Sequence, residues 1–292
     1  MTVPVTNGLV LHLDADAIEG LNDNDLVQTW SDLSGTGNHA TQATEANRPT
    51  YKTNILDGKP VVRFSQPDET SLHVANNATL NGLEHLNAFV VIKPTTPQEY
   101  DHILEKRNSF LCWFLTSDWA FFIRTDGIEG VKNYDLWRDE FQQSVTTDPA
   151  LINWVWSSAT EKANIYKNGT AGVEQDVVGD YIATSTTPLV IGGRVHTEED
   201  NRHFTGDIAE IIIYNRALST AEREQVEQYL GVKWLGWTPS FTTGYILERR
   251  IGEGEWVEIA RLPVGSVGQL QEPLTLSGTL NTEEQKIIVE GR

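Results

Sequence analysis

Residues 1–215 predict an all-β fold, a sandwich or a barrel, and three observations carry the prediction. Apolar and polar residues alternate over short runs, the period of a strand with one buried face. The runs recur at near-regular spacing and are separated by clusters of Gly, Asn, Asp and Ser, as in folds built from many short strands. One run ends in Asn168-Gly169, the dipeptide that best tolerates the positive φ angles of a two-residue hairpin turn.

Taken in order, residues 9–13 read as a first strand, followed by an Asp/Asn/Gly-rich loop through Asn38. Residues 59–64 form another strand and 88–93 a continuous apolar one. Residues 110–115 and 119–124 are expected to pair as a hairpin around 116–118. Residues 153–156, 162–167, 189–193 and 208–214 complete the set. Trp154 and Trp156 are two apart, share a strand face and read as core.

One helix stands out. Ser219-Thr-Ala-Glu222 is a capping box, in which the Ser side chain bonds the third helical N–H and the Glu reaches back. Ala221, Val226, Tyr229, Leu230 and Trp234 follow at helical spacing. An amphipathic helix over about 220–234 is expected to cover an end of the sandwich, with Glu222, Glu224 and Glu227 on its solvent face. After Trp237-Thr-Pro239 the texture changes: residues 245–250 and 256–260 flank Gly252-Glu-Gly254 as a hairpin, and 270–289 supply two more weak strands. The chain therefore divides into a sandwich over 1–237 and a small β appendage over 238–292, short for a unit that folds alone.

Composition narrows the function. Lys and Arg number 22 against 41 Asp and Glu, a net charge of −19, which repels the phosphate backbone of nucleic acid and disfavours anionic membranes. No stretch approaches the ~18 apolar residues of a membrane helix, so no membrane insertion is expected. Cys112 is the only cysteine, which excludes an intrachain disulfide and a thiolate metal site. Met1 to Gly8 shows neither the basic region nor the apolar core of a secretion signal.

Several blocks, read together, resemble the concanavalin A-like lectin/glucanase superfamily, and within it the laminin-G-like domains. They are Gly8-Leu-Val-Leu-His-Leu-Asp-Ala-Asp16, Trp30-Ser-Asp-Leu-Ser-Gly35 with Gly37-Asn-His-Ala40, and Gly58 through Phe64. Trp154 through Gly169 and Ile191-Gly-Gly193 follow. Phe204 through Tyr214, then Arg216-Ala-Leu-Ser219 with its helix, are the most specific. The resemblance spans residues 8–235 and implies a jelly-roll β-sandwich of two antiparallel sheets. Residues 245–260 are similar to the middle strands of a fibronectin type III module, without room for that module's first two strands.

The superfamily includes glycoside hydrolases, so catalytic carboxylates come first. Retaining hydrolysis needs two carboxyls ~5–5.5 Å apart, and no Glu-x-Asp-x-Glu pattern occurs. Asp207 and Glu210 are three apart on one strand and are expected on opposite faces. A hard cation is the more plausible chemistry. Asp14, Asp16 and Asp32 are the candidate ligands for Ca2+, near Asp23, Asn24 and Asp25, since calcium takes six to eight oxygens. The same residues are also ordinary turn formers. A weaker metal set joins His196, Glu198, Asp200 and His203. For sugar binding, Trp137 in a polar stretch offers an aromatic platform, with Tyr134, Asp135 and Arg138 beside it to hydrogen-bond hydroxyls.

These features point to a non-enzymatic lectin-like module. The expected setting is a phage virion, in a tail, fibre or capsid-surface protein that presents the sandwich to a glycan or host-surface polysaccharide. Its other partners are virion proteins and further copies in a homo-oligomer, with 238–292 as docking segment. The alternative is a bacterial extracellular adhesin or the carbohydrate-binding domain of a secreted enzyme; a third reading is an active glycoside hydrolase.

Overall fold

Alternation along Leu9–Asp14 (β1) buries Leu11 and Leu13 completely, and the same period governs most strands of the molecule. The computed structural model describes residues 1–81, 83–95, 101–106, 119–124, 127–131, 146–176, 186–194, 203–238, 244–251, 257–263 and 283–290. Within them the strands after β1 are Thr29–Trp30 (β2), Ala40–Thr41 (β3), Thr50–Leu56 (β4), Lys59–Phe64 (β5) and Leu72–Val74 (β6). His85–Pro94 (β7), Asp101–Lys106 (β8), Trp119–Arg124 (β9), Gly127–Val131 (β10) and Ala150–Ser157 (β11) follow. Lys162–Lys167 (β12), Thr170–Ala171 (β13), Gln175–Asp176 (β14), Leu189–Ile191 (β15) and Gly206–Tyr214 (β16) precede the helix Thr220–Trp234 (α1).

Two antiparallel sheets result. The larger runs β13-β12-β11-β7-β16-β5-β4, with β1 also on β16 and β14 also on β12; the other runs β10-β9-β8-β15-β6-β3-β2. One apolar cluster joins Val61, Val90, Trp154 and Ile211 of the first sheet to Leu72, Leu104 and Ile191 of the second, which makes the pair a sandwich. Trp154 and Trp156 lie in this core, each 1 % exposed. The β12–β13 turn places Asn168 and Gly169 at φ 50° and 78°, the left-handed pair that the dipeptide favours.

Strand β16 is the hinge of the larger sheet. Its first residues pair with β5 (Gly206↔Phe64) and its later ones with β1 (Asp14↔Glu210), and the ladder to β7 slips between Ile208 and Glu210. The extra residue of this β-bulge, Ala209, resets the alternation. Asp207 and Glu210 therefore share the outer face, contrary to the opposite faces that plain alternation predicts. Strand β9 is flanked by β8 and β10, and its expected hairpin partner is 110–115. Segment 110–115, with Cys112, lies outside the described residues.

Helix α1 begins as the capping box requires: Ser219 Oγ accepts from the Glu222 N–H, and Glu222 Oε2 accepts from the Ser219 N–H at 2.9 Å. The helix lies on the outer face of the larger sheet rather than over an end. Arg223 stacks 4.1 Å from the ring centroid of Tyr166 in β12, and Lys233 reaches Asp14 in β1. Glu227, expected in solvent, is buried and holds Arg223 at 2.5 Å.

The chain packs as two units, Met1–Trp237 and Thr238–Arg292. In the second, Gly244–Ile251 (β17), Val257–Pro263 (β18) and Glu283–Glu290 (β19) make an antiparallel sheet in the order β18-β17-β19.

Candidate functional site

Polar groups concentrate on the outer faces of both sheets, and the two concentrations differ in kind. On the larger sheet, His12 and Asp14 of β1 lie beside Glu210 of β16 through the β1–β16 register. Glu210 Oε1 meets His12 Nε2 and accepts from the Tyr229 hydroxyl, both at 2.8 Å; Oε2 accepts from Lys233 Nζ at 2.7 Å and Trp234 Nε1 at 2.6 Å. Lys233 Nζ also donates to Asp14 Oδ2 at 2.5 Å, and the Asp16 N–H donates to Asp14 Oδ1 at 3.0 Å.

Helix α1 seals this network, and every member has a partner. Burial and the neighbouring Glu210 push the Asp14 carboxyl up. Burial pushes Glu210 the same way, but hydrogen bonds from His12 and the charge and hydrogen bond of Lys233 outweigh it and hold Glu210 below the usual carboxylate range. Burial, with Glu210 adjacent, pushes the Tyr229 hydroxyl well up. Ligand atoms of His12, Asp14 and Glu210 all lie within 4.8 Å of one another, but the Lys233 ammonium sits among them as the cation.

The calcium candidates are not brought together. Asp14 belongs to the network just described, and Asp16 is exposed. Asp32 is filled by protein donors: the N–H groups of His12, Ser34 and Asn38 at 2.9 Å each, Ser34 Oγ at 2.8 Å and Thr36 Oγ1 at 3.0 Å. Its burial, which raises a carboxyl, is outweighed by these bonds, and the group is held below the usual range. The Trp30-x-Asp-x-Ser-Gly-x-Gly-Asn-His block is thus a loop folded around one carboxylate, and the three aspartates do not fit a calcium ion as a set. Tyr134, Asp135, Trp137 and Arg138 lie outside the described residues, as do His196, Glu198 and Asp200.

The smaller sheet carries the other concentration. Register aligns Thr41 (β3), His73 (β6), Val190 (β15) and Glu105 (β8) in one row across four strands. The adjoining positions Ala40, Leu72, Val74, Leu104 and Ile191 point into the apolar core, so the row faces outward. It descends from exposed Thr41 through half-buried His73 to Glu105, which is wholly buried with His102 at 3.7 Å. Ser71 Oγ pairs with His73 Nε2 at 3.2 Å. His203 bridges to His102, and burial holds both His73 and His203 below the usual imidazole range. Arg194 and exposed Glu69 act electrostatically on His203.

Two glycines make the junction possible. A Cβ on Gly192 would stand 2.1 Å from the Phe64 ring in the core, and one on Gly193 would stand 2.5 Å from His203 Cδ2. The Ile-Gly-Gly block thus lets Phe64 close from one side and His203 lie flat on the other. At the far end of β8, Lys106 Nζ donates to Asn76 Oδ1 at 2.9 Å and to the Thr187 carbonyl at 2.7 Å, and burial depresses its ammonium to about 8.

Imidazole, hydroxyl and carboxylate groups are thus graded from solvent inward along this row. Sequence reasoning missed it because the bulge at Ile103 breaks the alternation of Asp-His-Ile-Leu-Glu-Lys, hiding β8 as a strand. The Leu72-His-Val74 alternation was the available signal.

Residues 93–222 match the sequence profile of the family described as the concanavalin A-like lectin/glucanase superfamily. No curated protein matches the chain. Among solved structures, the binding domain of Paraclostridial mosquitocidal protein 1 superposes with a TM-score of 0.53 at 14% identity, over 88% of this chain and 68% of that one. Domain 4 of AbnA, an extracellular GH43 arabinanase of Geobacillus stearothermophilus solved with arabinotriose, gives 0.55 at 13% identity, over 75% and 98%. The ligand-binding domain of botulinum neurotoxin serotype D, solved with N-acetylneuraminic acid, gives 0.54 at 15% identity, over 90% and 63%. At such identities these are likenesses of fold. Two antiparallel sheets around one core and the matched residues 93–222 make the sandwich similar to the concanavalin A-like lectin/glucanase superfamily.

Proposed function

We propose that the chain is a non-enzymatic glycan-binding module that takes its ligand on the outer face of the smaller sheet. One observation carries the reading: the row Thr41–His73–Glu105, with His102 and His203, gathers polar and titratable groups on one face of the smaller sheet. Imidazole, hydroxyl and carboxylate groups set in one row are the donors and acceptors that sugar hydroxyls take. The sugars named with the arabinanase domain and the toxin domain support the class of ligand without specifying it. Among the described residues the row carries one carboxylate, Glu105, whereas retaining hydrolysis needs two about 5–5.5 Å apart.

The wider setting is a virion tail, fibre or capsid-surface protein, with residues 238–292 docking the module into a homo-oligomeric assembly; an extracellular adhesin is the alternative. The strand-rich appendage favours the virion. A glycan array probed with the full chain tests the reading. Binding to a defined glycan set, unchanged by chelator and without release of reducing sugar, is expected. Binding abolished by chelator would restore a cation to the site, and sugar release would make the protein a hydrolase.

A further inference from the structure

The buried network under α1 has the composition of a condensation site as well as of an ion pair. An amine, a carboxyl and a second carboxylate are held together out of water, with the amine in contact with both acids. We infer that Lys233 Nζ and Asp14 Cγ join in an intramolecular amide bond, formed spontaneously with Glu210 as proton carrier.

The geometry assigns each step. Lys233 Nζ lies 2.5 Å from Asp14 Oδ2, so a proton passing along that hydrogen bond turns ammonium and carboxylate into amine and acid. Water is excluded around the pair, for Lys233 and Asp14 are 4 % and 9 % exposed, and burial favours the acid form of Asp14. The amine then attacks Cγ. Negative charge developing on Asp14 Oδ1 meets the Asp16 N–H already bonded to it at 3.0 Å. As the C–N bond forms, a second proton leaves nitrogen for Glu210 Oε2, 2.7 Å away, which passes it to the departing Oδ2 hydroxyl. The C–Oδ2 bond breaks and one water leaves. Nitrogen keeps its third proton as the amide N–H, and Glu210 ends as it began, so atoms and charge balance without any co-reactant.

The surroundings fit these roles. Tyr229 and Trp234 both donate to Glu210, which fixes its carboxylate beside the amine. Burial biases Asp14 toward the acid form while the donors around Glu210 keep it ionised, the division of labour that an electrophile and a base require. The bond would tie β1 to the last turn of α1, closing a ring of sequence separation 219 around nearly the whole sandwich in a chain with a single cysteine. Tension between the ends of the chain would then bypass the sandwich, a useful property in a surface-displayed module.

Intact mass spectrometry of the denatured full chain, followed by tryptic mapping, is the test. The expected mass is lower than the sequence mass by one water, with a branched peptide joining residues 1–52 to residues 224–249 and no cleavage after Lys233. Lys233→Met and Asp14→Ala should each show their full sequence masses, and Glu210→Gln should retain most of the water. A wild-type chain at its full sequence mass overturns the proposal, and needs no variant to fold. So does a water loss that maps to a linear peptide around Asp14, the mark of a succinimide. Cross-linking of Glu210→Gln to the wild-type extent would remove Glu210 from the mechanism.

Discussion

Asp32 shows what a single side chain can decide. Its two oxygens take three backbone N–H groups and two hydroxyls, so the loop from Ser31 to His39 is built around one charge. Asp32→Ala would strand the His12 and Asn38 N–H groups in the interior, and a loss of about 2–4 kcal/mol in urea unfolding is expected. Because the carboxyl is held below its ordinary value, its contribution is complete above that value and is lost as pH falls through the lowered one. The wild type should therefore lose stability on acidification below about pH 4, and Asp32→Asn should lack that part of the loss. Gly193 is the other deciding residue. Gly193→Ala must push His203 away from its seat, and weaker glycan binding at nearly unchanged far-UV circular dichroism is the expected result. At this scale the sequence was legible in part. It marked Asp14, Asp16 and Asp32 as oxygen donors, but the partners that use up Asp14 and Asp32 are backbone amides and a lysine distant in the chain, which no local spacing reveals.

Elements were more legible than sites. The helix was predictable to its first residue because a capping box is a local device: Ser219 and Glu222 satisfy each other's N–H groups whatever else the chain does. The Arg216 ion pair and the Ser219 N–H hold the Glu222 carboxyl down to about 2. That contribution is present above the ordinary carboxylate value and fades as pH drops toward about 2. Ser219→Ala should cost about 1 kcal/mol near neutral pH, with a smaller difference from wild type in strong acid, as read by thermal unfolding across the range. The buried face of α1 was legible in Val226, Tyr229, Leu230 and Trp234, but not the inward turn of Glu227 and Lys233, whose charges are met by Arg223, Asp14 and Glu210. Bulges set the other limit. One extra residue at Ala209 moves Glu210 onto the face of Asp207, and another at Ile103 disguises β8. A bulge is a property of two strands in register, and a single strand's sequence does not announce it.

For the whole molecule, the net charge of −19 now has a place. Among the described residues, Asp207, Glu227, Asp14 and Glu210 fold inward against Arg63, Arg223 and Lys233, while Asp32 takes backbone N–H and hydroxyl donors. The chain divides into two compact units, Met1–Trp237 and Thr238–Arg292. A chain ending at Trp237 should unfold at the same temperature as the sandwich in the full chain, by differential scanning calorimetry, while losing assembly if residues 238–292 dock it. The most direct test of the account is equilibrium titration of an array-identified glycan against the full chain and His73→Ala. His73 is half-buried on the face turned from the core, so the substitution leaves the fold intact. A tenfold or greater loss of affinity, about 1.4 kcal/mol, is predicted. Unchanged affinity in a folded His73→Ala chain would contradict it and move the binding face elsewhere on the molecule.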